Sequence, residues 1–225
     1  LPKERPFVTG SPMAEVLRAN LDKIEASDIH QRLGLTKGHY ILLSAHREEN
    51  IDTDRNFFRL FTAVNAMAEK YDMPILYSCH PRSRKRLEAT GFRLDSRVTA
   101  HEPLGFHDYN CLQMHAFAVV SDSGTLPEES SFFLSVGKPF PAVSIRTSTE
   151  RPEALDAGCF VLAGVEEQSL LQAVEMAVSM QRSGEIGAPV SDYTDENVSM
   201  KVARLIQSYT GVVNRLVWRK ESETV

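Results

Sequence analysis

Cysteine is scarce in this chain of 225 residues: only Cys79, Cys111 and Cys159 occur, and no two of them form a C-x-x-C pair. An odd and scattered set argues against a disulfide framework and favours a reducing, cytoplasmic setting. No uncharged apolar run approaches the ~20 residues that a membrane-spanning helix needs. Basic residues are outnumbered, 25 against 30 acidic ones, which argues against a nonspecific nucleic-acid binder.

The short motifs of several common sites are also missing. The chain has no Gly-Lys-[Ser/Thr] ending of a Walker loop, no G-x-G-x-x-G and no G-x-S-x-G elbow. It has no Cys/His spacing for zinc and no Asp-rich box. The sequence therefore predicts no metal site and no bound cofactor. A hydrophobic content of 42% nevertheless suffices for a sizeable core.

The first six residues contain two prolines and no Met. This composition is typical of a linker that continues from an upstream segment, so we expect the chain to be a piece of a longer protein. The alternative is a natural start from which Met has been removed.

Short apolar runs alternate with longer amphipathic ones along the chain. The runs predict strands at residues 40–44, 74–78, 97–100, 117–121, 140–145 and 159–162. Helical spacing predicts helices at 13–24, 27–33, 54–71, 83–89, 107–115, 127–134, 152–156, 166–180 and 196–216. Strands alternating with helices indicate an α/β fold, a doubly wound and Rossmann-like parallel sheet. Ligands of such sheets bind at the carboxyl ends of the strands, near helix N-termini.

Two polar clusters follow the first two predicted strands. The stretch His46-Arg47-Glu48-Glu49-Asn50 concentrates groups that suit an anionic ligand, although a solvated loop with local ion pairs is the alternative. Cys79-His80-Pro81-Arg82 could place a second His/Arg pair at the same edge of the sheet. A single His near a strand end is more often structural.

The strongest cluster is Ser121-Asp122-Ser123-Gly124-Thr125, followed by a helix that begins near Pro127. The backbone N–H groups and hydroxyls there can hold a phosphate, which Gly124 lets approach closely. Glu129 lies one to two turns into the helix, where its carboxylate could bind two ribose hydroxyls. The alternative is a well-capped helix with an acidic first turn.

A fourth cluster covers residues 146–154. Arg146 and Arg151 either supply positive charge to a phosphate or pair with the neighbouring glutamates. Because the four clusters follow four strands of one sheet, together they predict a site for a nucleotide diphosphate.

The residues at 46–50, His80-Pro81, 122–129 and 149–153 resemble, in this order, motifs of the non-hydrolysing UDP-N-acetylglucosamine 2-epimerases. The resemblance implies a GT-B architecture of two Rossmann-like domains, of which this chain is the C-terminal half. Residues 1–36 would form a linker and hinge helices, and residues 37–195 the nucleotide-sugar-binding domain. Residues 196–225 would form a helix that packs back toward the missing N-terminal domain.

The implied reaction inverts C2 of a UDP-N-acetylhexosamine. UDP leaves after a base removes the C2 proton, a 2-acetamidoglucal forms, and UDP adds back with a proton delivered to the other face. The family's principal acid/base carboxylates belong to the N-terminal domain and correspond to no residue here.

The resemblance also implies residue roles. His46 is the expected catalytic residue, which contacts the diphosphate or sugar and stabilises charge. The expected substrate-binding residues are Tyr109 beside the uracil, Ser123, Gly124 and Thr125 on the phosphates, Glu129 on the ribose, and Arg146 on phosphate. Arg47 and His80 match positions that touch a second, allosteric UDP-N-acetylglucosamine in some members.

The form of the first motif, with residues 105–109, is more similar to branches that act on modified UDP-hexosamines for capsule or O-antigen synthesis. One such branch makes UDP-N-acetyl-L-fucosamine, and another acts on a diacetamido uronic acid. The full-length protein would be a homodimer, with no nucleic-acid or membrane partner. Two other functions stay open: the nucleotide-sugar domain of a GT-B glycosyltransferase, and a UDP-sugar-binding domain without catalysis.

Overall fold

Six parallel strands form one sheet in the computed structural model, which describes residues 6–220. The strands are β1 (Ile41–Ser44), β2 (Ile75–Ser78), β3 (Val98–His101), β4 (Ala118–Ser121), β5 (Ala142–Ser144) and β6 (Val161–Leu162). Their order across the sheet is β3-β2-β1-β4-β5-β6. The doubly wound parallel sheet is thereby confirmed. The linker predicted at residues 1–6 lies, except for Pro6, outside the described residues.

Ten α-helices surround this sheet within the described residues. They are α1 (Met13–Glu25), α2 (Ile29–Leu33), α3 (Glu48–Ile51), α4 (Asp54–Tyr71), α5 (Pro81–Thr90), α6 (Phe106–His115), α7 (Leu126–Ser135), α8 (Pro152–Asp156), α9 (Glu167–Ser183) and α10 (Val198–Leu216). The single turn of α3 and a 3-10 turn at Ser191–Tyr193 had no apolar periodicity from which to be predicted.

The helix ends follow local chemistry. Pro12 is the N-cap of α1, and the Ser11 hydroxyl accepts the Met13 N–H at 3.2 Å. The Thr53 hydroxyl caps α4, where it accepts from an N–H in the first turn. Gly34 ends α2 in the left-handed conformation, with φ of 62°, as its position in the sequence predicts.

The strands separate two apolar layers, because successive side chains point to opposite faces. Ile41 and Leu43 of β1 pack with α4 and α9, whose fully buried members include Phe61 and Val174. Leu42 points to the other face, into a cluster contributed mainly by α1, α6 and α7. Burial on both faces explains why the strands are continuous apolar runs rather than alternating ones.

Two further findings concern the whole described chain. Cys79, Cys111 and Cys159 are all buried and carry free thiols. Within residues 6–220, no helix combines the length and the apolar content required to cross a bilayer.

Candidate nucleotide-sugar site

The predicted site lies where the chain reverses its direction across the sheet. From β1 the chain proceeds outward to β2 and β3, and it then crosses back to β4, which pairs with β1. Such a switch point leaves a crevice at the carboxyl ends of the two central strands, where ligands of doubly wound sheets bind. Ser44 and Ser121 are paired neighbours at these two ends.

The turn after β4 is closed by its own hydroxyls. The Ser123 and Thr125 hydroxyls lie 2.9 Å apart, and the Thr125 N–H donates to Ser123 Oγ at 3.3 Å. The Ser123 N–H donates to the hydroxyl of Ser121 at 3.0 Å. Thr125 is the N-cap of α7, so the first N–H groups of a ten-residue helix open beside these hydroxyls. This arrangement suits a phosphate.

Gly124 contributes space rather than an unusual backbone angle. A Cβ at this position would lie 3.1 Å from Nη2 of Arg47, and φ is not positive. The Arg47 Nε donates to the Asp122 carbonyl oxygen at 3.0 Å, which lays the side chain across the turn. Arg47, for which the family resemblance implied an allosteric contact, therefore lies directly against the predicted phosphate-binding turn.

Glu129 is buried within the first turn and a half of α7 and has a partner on each oxygen. Oε1 accepts the Thr125 hydroxyl at 2.7 Å, and Oε2 accepts Nε2 of Gln113, from α6, also at 2.7 Å. Burial raises the pKa of Glu129 above its usual value, although both hydrogen bonds act in the opposite direction. Each oxygen keeps one further lone pair, so the carboxylate can still accept two hydroxyl groups.

Asp122 joins the loops after β1 and β4. It is fully buried and accepts the backbone N–H groups of His46 and Arg47 at 3.0 and 2.9 Å and the Asn50 amide at 3.1 Å. Burial alone would raise the pKa of Asp122, but His46 and the N–H donors outweigh it and lower that pKa. The Asn50 amide also donates to the Ile145 carbonyl oxygen, which connects this pair of loops to β5.

Arg146 and Arg151 are both paired with glutamates, the alternative that the sequence left open. Arg146 is buried and forms a two-point ion pair with Glu150, with distances of 2.6 and 2.7 Å. This pairing lowers the pKa of Glu150 to about 2. Arg151 donates twice to Glu128, at 2.8 and 2.7 Å.

Tyr109 belongs to the same crevice, whereas His80 has a local structural role. The phenol of Tyr109, on α6, lies beside the side chains of Ser44 and Ser121, and burial raises its pKa. His80 is the N-cap of α5, and its Nδ1 accepts the Arg82 N–H at 3.3 Å. His80 thus follows β2, one strand away from the crevice.

Sequence reasoning did not single out three residues that hold the site together: Asp122, Asn50 and Gln113. Asp122 and Asn50 stood inside quoted motifs without roles, and Gln113 carried no motif. All three are buried in the structure. The signal in the sequence was a polar residue within or next to an apolar segment, because such a residue is seldom buried without a partner.

A model of the family described as UDP-N-acetylglucosamine 2-epimerase matches residues 1–207. The chain belongs to the UDP-N-acetylglucosamine 2-epimerase family. A curated epimerase of this name from Methanococcus maripaludis is 35% identical over 147 residues, which are 64% of this chain and 39% of the relative. The relative from Methanocaldococcus jannaschii is 29% identical over 185 residues, covering 79% of this chain and 49% of its own length. The chain thus spans about half the length of the curated relatives it matches.

Solved structures of the family confirm the fold. The UDP-N-acetylglucosamine 2-epimerase of Rickettsia bellii is 36% identical, with a TM-score of 0.85, and the match covers 98% of this chain and 58% of that one. The Methanocaldococcus jannaschii enzyme, solved in complex with UDP-GlcNAc and UDP, has a TM-score of 0.79 at 24% identity and covers 92% and 56%. The family resemblance drawn from the four motifs is confirmed, and the residue roles stay predictions.

Proposed function

We propose that this chain is the nucleotide-sugar-binding part of a UDP-N-acetylhexosamine 2-epimerase. The carrying observation is the crevice between β1 and β4, where a hydroxyl-lined helix N-terminus, a buried carboxylate and the His46-Arg47 pair converge. These groups match the parts of UDP: phosphates on residues 123–125 and ribose on Glu129. Tyr109 supplies the aromatic ring expected beside the base.

In the proposed reaction this chain binds UDP and stabilises it as a leaving group. Removal of the C2 proton expels UDP and gives a 2-acetamidoglucal; re-addition of UDP, with a proton on the opposite face, gives the C2 epimer. Negative charge develops on the departing diphosphate, where N–H groups, hydroxyls and a cationic His46 would stabilise it. The acid and base that move the C2 proton are assigned to the half of the protein that this chain lacks.

Titration of the 225-residue chain with UDP by calorimetry tests the binding part of this proposal. We expect weak binding that Glu129→Ala reduces. The full-length protein tests the chemistry: incubation with UDP-N-acetylglucosamine in D2O should introduce deuterium at C2 and yield both epimers. A glycosyltransferase would require an acceptor and give no exchange at C2. A sensor domain would bind UDP-sugars tightly without any other domain.

The proposed organisation places the missing half against α10. Only Val198 of this helix is buried, while Met200, Ile206 and Leu216 expose more than half of their surface. We assign residues 1–36 to a linker and hinge, 37–195 to the nucleotide-sugar domain and 196–225 to this contact. Co-expression with the missing half should protect α10 from hydrogen exchange.

The finer assignments follow from the resemblance. By this resemblance, the full-length protein would be a cytoplasmic homodimer that makes sugars for capsule or O-antigen. The favoured substrate would be a precursor of UDP-N-acetyl-L-fucosamine. Turnover of the full-length protein on UDP-N-acetylglucosamine, the talosamine derivative and the diacetamido uronic acid would separate the branches. Light scattering would give the oligomeric state.

A further inference from the structure

Asp122 is a charged group buried where charge is costly. None of its surface is exposed, and an unpaired carboxylate in that position would be strongly unfavourable. Three donors in the segment after β1 compensate: the N–H groups of His46 and Arg47 and the side-chain amide of Asn50. These contacts explain how the loop is held, but neutral acceptors could hold a loop equally well.

The contact that distinguishes a carboxylate is with the His46 ring. Its Nδ1 lies 3.1 Å from Oδ1 of Asp122, and the side chain of His46 is 47% exposed while that of Asp122 is fully buried. The contact therefore occupies the Nδ1 edge of the ring, and Nε2 lies on the opposite edge. Two charged groups influence the ring: Asp122 raises the pKa of His46, whereas burial and Arg47 lower it, and the net direction is upward.

We propose that Asp122 is a positioning residue that holds His46 by its Nδ1 edge, so that the protonated, cationic ring presents Nε2–H as the donor to a diphosphate bound at residues 123–125. The diphosphate rests on the proposed function; the coupling of Asp122 to His46 does not. Because the carboxylate also accepts the backbone N–H of His46, it fixes both the ring and the loop that carries it. No proton needs to leave Asp122 in this role.

Asp122→Asn separates charge from shape. The amide oxygen can replace Oδ2 and still accept from Arg47 and Asn50. The new NH2 group then faces Nδ1 of His46, so a neutral ring must accept at Nδ1 and carry its proton on Nε2. Loss of the negative charge also disfavours the imidazolium. The substitution therefore changes both the tautomer and the pH at which His46 titrates.

Nitrogen-15 NMR of histidine-labelled protein measures both properties, and His46→Gln assigns the signals. For the wild type we expect a midpoint above 6.5, the ordinary value for His, and a neutral form protonated on Nδ1. Asp122→Asn should lower the midpoint by about one pH unit or more and move the neutral-form proton to Nε2. Asn50→Ala, which disturbs the same carboxylate without touching the ring, should leave the tautomer unchanged.

The wild-type spectrum alone can overturn the proposal: a neutral form protonated on Nε2, or a midpoint at or below 6.5, would do so even if Asp122→Asn failed to fold. Equal effects of Asn50→Ala and Asp122→Asn would also overturn it, because Asp122 would then be a general support of the loop. UDP calorimetry is read separately. Asp122→Asn should weaken UDP binding roughly tenfold at pH 7. A wild type with the expected tautomer but no UDP binding would refute the proposed function and leave the Asp122–His46 coupling intact.

Discussion

Glu129→Gln should weaken UDP binding without destabilising the protein. In the wild type the carboxylate accepts from the Thr125 hydroxyl and the Gln113 amide, and it would accept the ribose hydroxyls with its remaining lone pairs. The Gln113 Oε1 is buried without a hydrogen-bond partner among the described residues. Gln113 can therefore flip its amide and accept from a glutamine at 129, so the substitution fits the pocket.

The binding effect can be estimated from the lost charge. A hydrogen bond to a charged group contributes about 1.5–3 kcal/mol. This corresponds to about a 10- to 150-fold increase in the Kd of UDP at 25 °C. Calorimetry with the 225-residue chain at pH 7 measures this increase directly.

Whereas Glu129→Gln should weaken UDP binding, it should raise the stability of the folded protein near neutral pH. Because burial raises the pKa of Glu129, the folded state binds a proton more tightly than the unfolded state. The resulting stabilisation is present below the ordinary pKa of 4.5 and is lost as pH rises through the folded-state pKa. Glutamine does not ionise, so the Tm of Glu129→Gln relative to wild type should rise between about pH 4.5 and neutrality.

Glu128→Gln is the matched control, because it makes the same chemical change one residue earlier in α7. Glu128 is paired with Arg151 and Ser11, so its neutralisation should destabilise the chain by about 1–3 kcal/mol and change UDP affinity little. Unchanged UDP affinity of Glu129→Gln would refute the ribose role. A Tm difference that falls as pH rises would refute the electrostatic argument.

Three further predictions concern other parts of the chain. Gly124→Ala should fold normally, since the flexible end of Arg47 can move away from the new Cβ. The methyl group should nevertheless narrow the phosphate-binding turn, so calorimetry should show weaker UDP binding. Gly187→Ala should cost about 1–3 kcal/mol more in urea unfolding than Gly184→Ala. Both glycines have positive φ, but only at Gly187 would the new Cβ overlap backbone carbonyl oxygens. The His115 ring should stay neutral between pH 5 and 7 in NMR, because burial lowers its pKa to about 4.

The sheet could be predicted because buried parallel strands are short apolar runs that need no partner to be recognised. The errors lie at strand ends, where backbone hydrogen bonds decide. The predicted strand at 140–145 is observed as Ala142–Ser144, and its start moves past Pro141 because proline has no N–H for the ladder. The predicted strand at 159–162 shortens to Val161–Leu162, because the Cys159 N–H donates back to the Ala154 carbonyl oxygen of α8.

The sequence predicted which residues form the candidate site, but it did not predict which of their side chains contact one another. The motifs placed polar residues after the correct strands, because strand ends in a parallel sheet share one edge. Which groups meet depends on loops that are far apart in the sequence. Asp122 contacts His46 and Arg47, which precede it by 76 and 75 positions. Asn50 reaches a carbonyl oxygen 95 positions away. No local pattern reports such distances, so the role of Asp122 emerged only from the fold.

The ion pairs also distinguish two arginines that are held by glutamates, Arg146 and Arg151, from Arg47, which remains available to a phosphate. Arg146 is held by Glu150 and Arg151 by Glu128, so an incoming diphosphate must share or displace a carboxylate at either position. Arg47 instead donates to a backbone carbonyl and, among residues 6–220, has no acidic side chain within ion-pair distance. Its guanidinium lies against Gly124, at the turn that offers hydroxyls and helix N–H groups. A phosphate would therefore meet Arg47 first, which favours a role for this residue in the main crevice over a second ligand site.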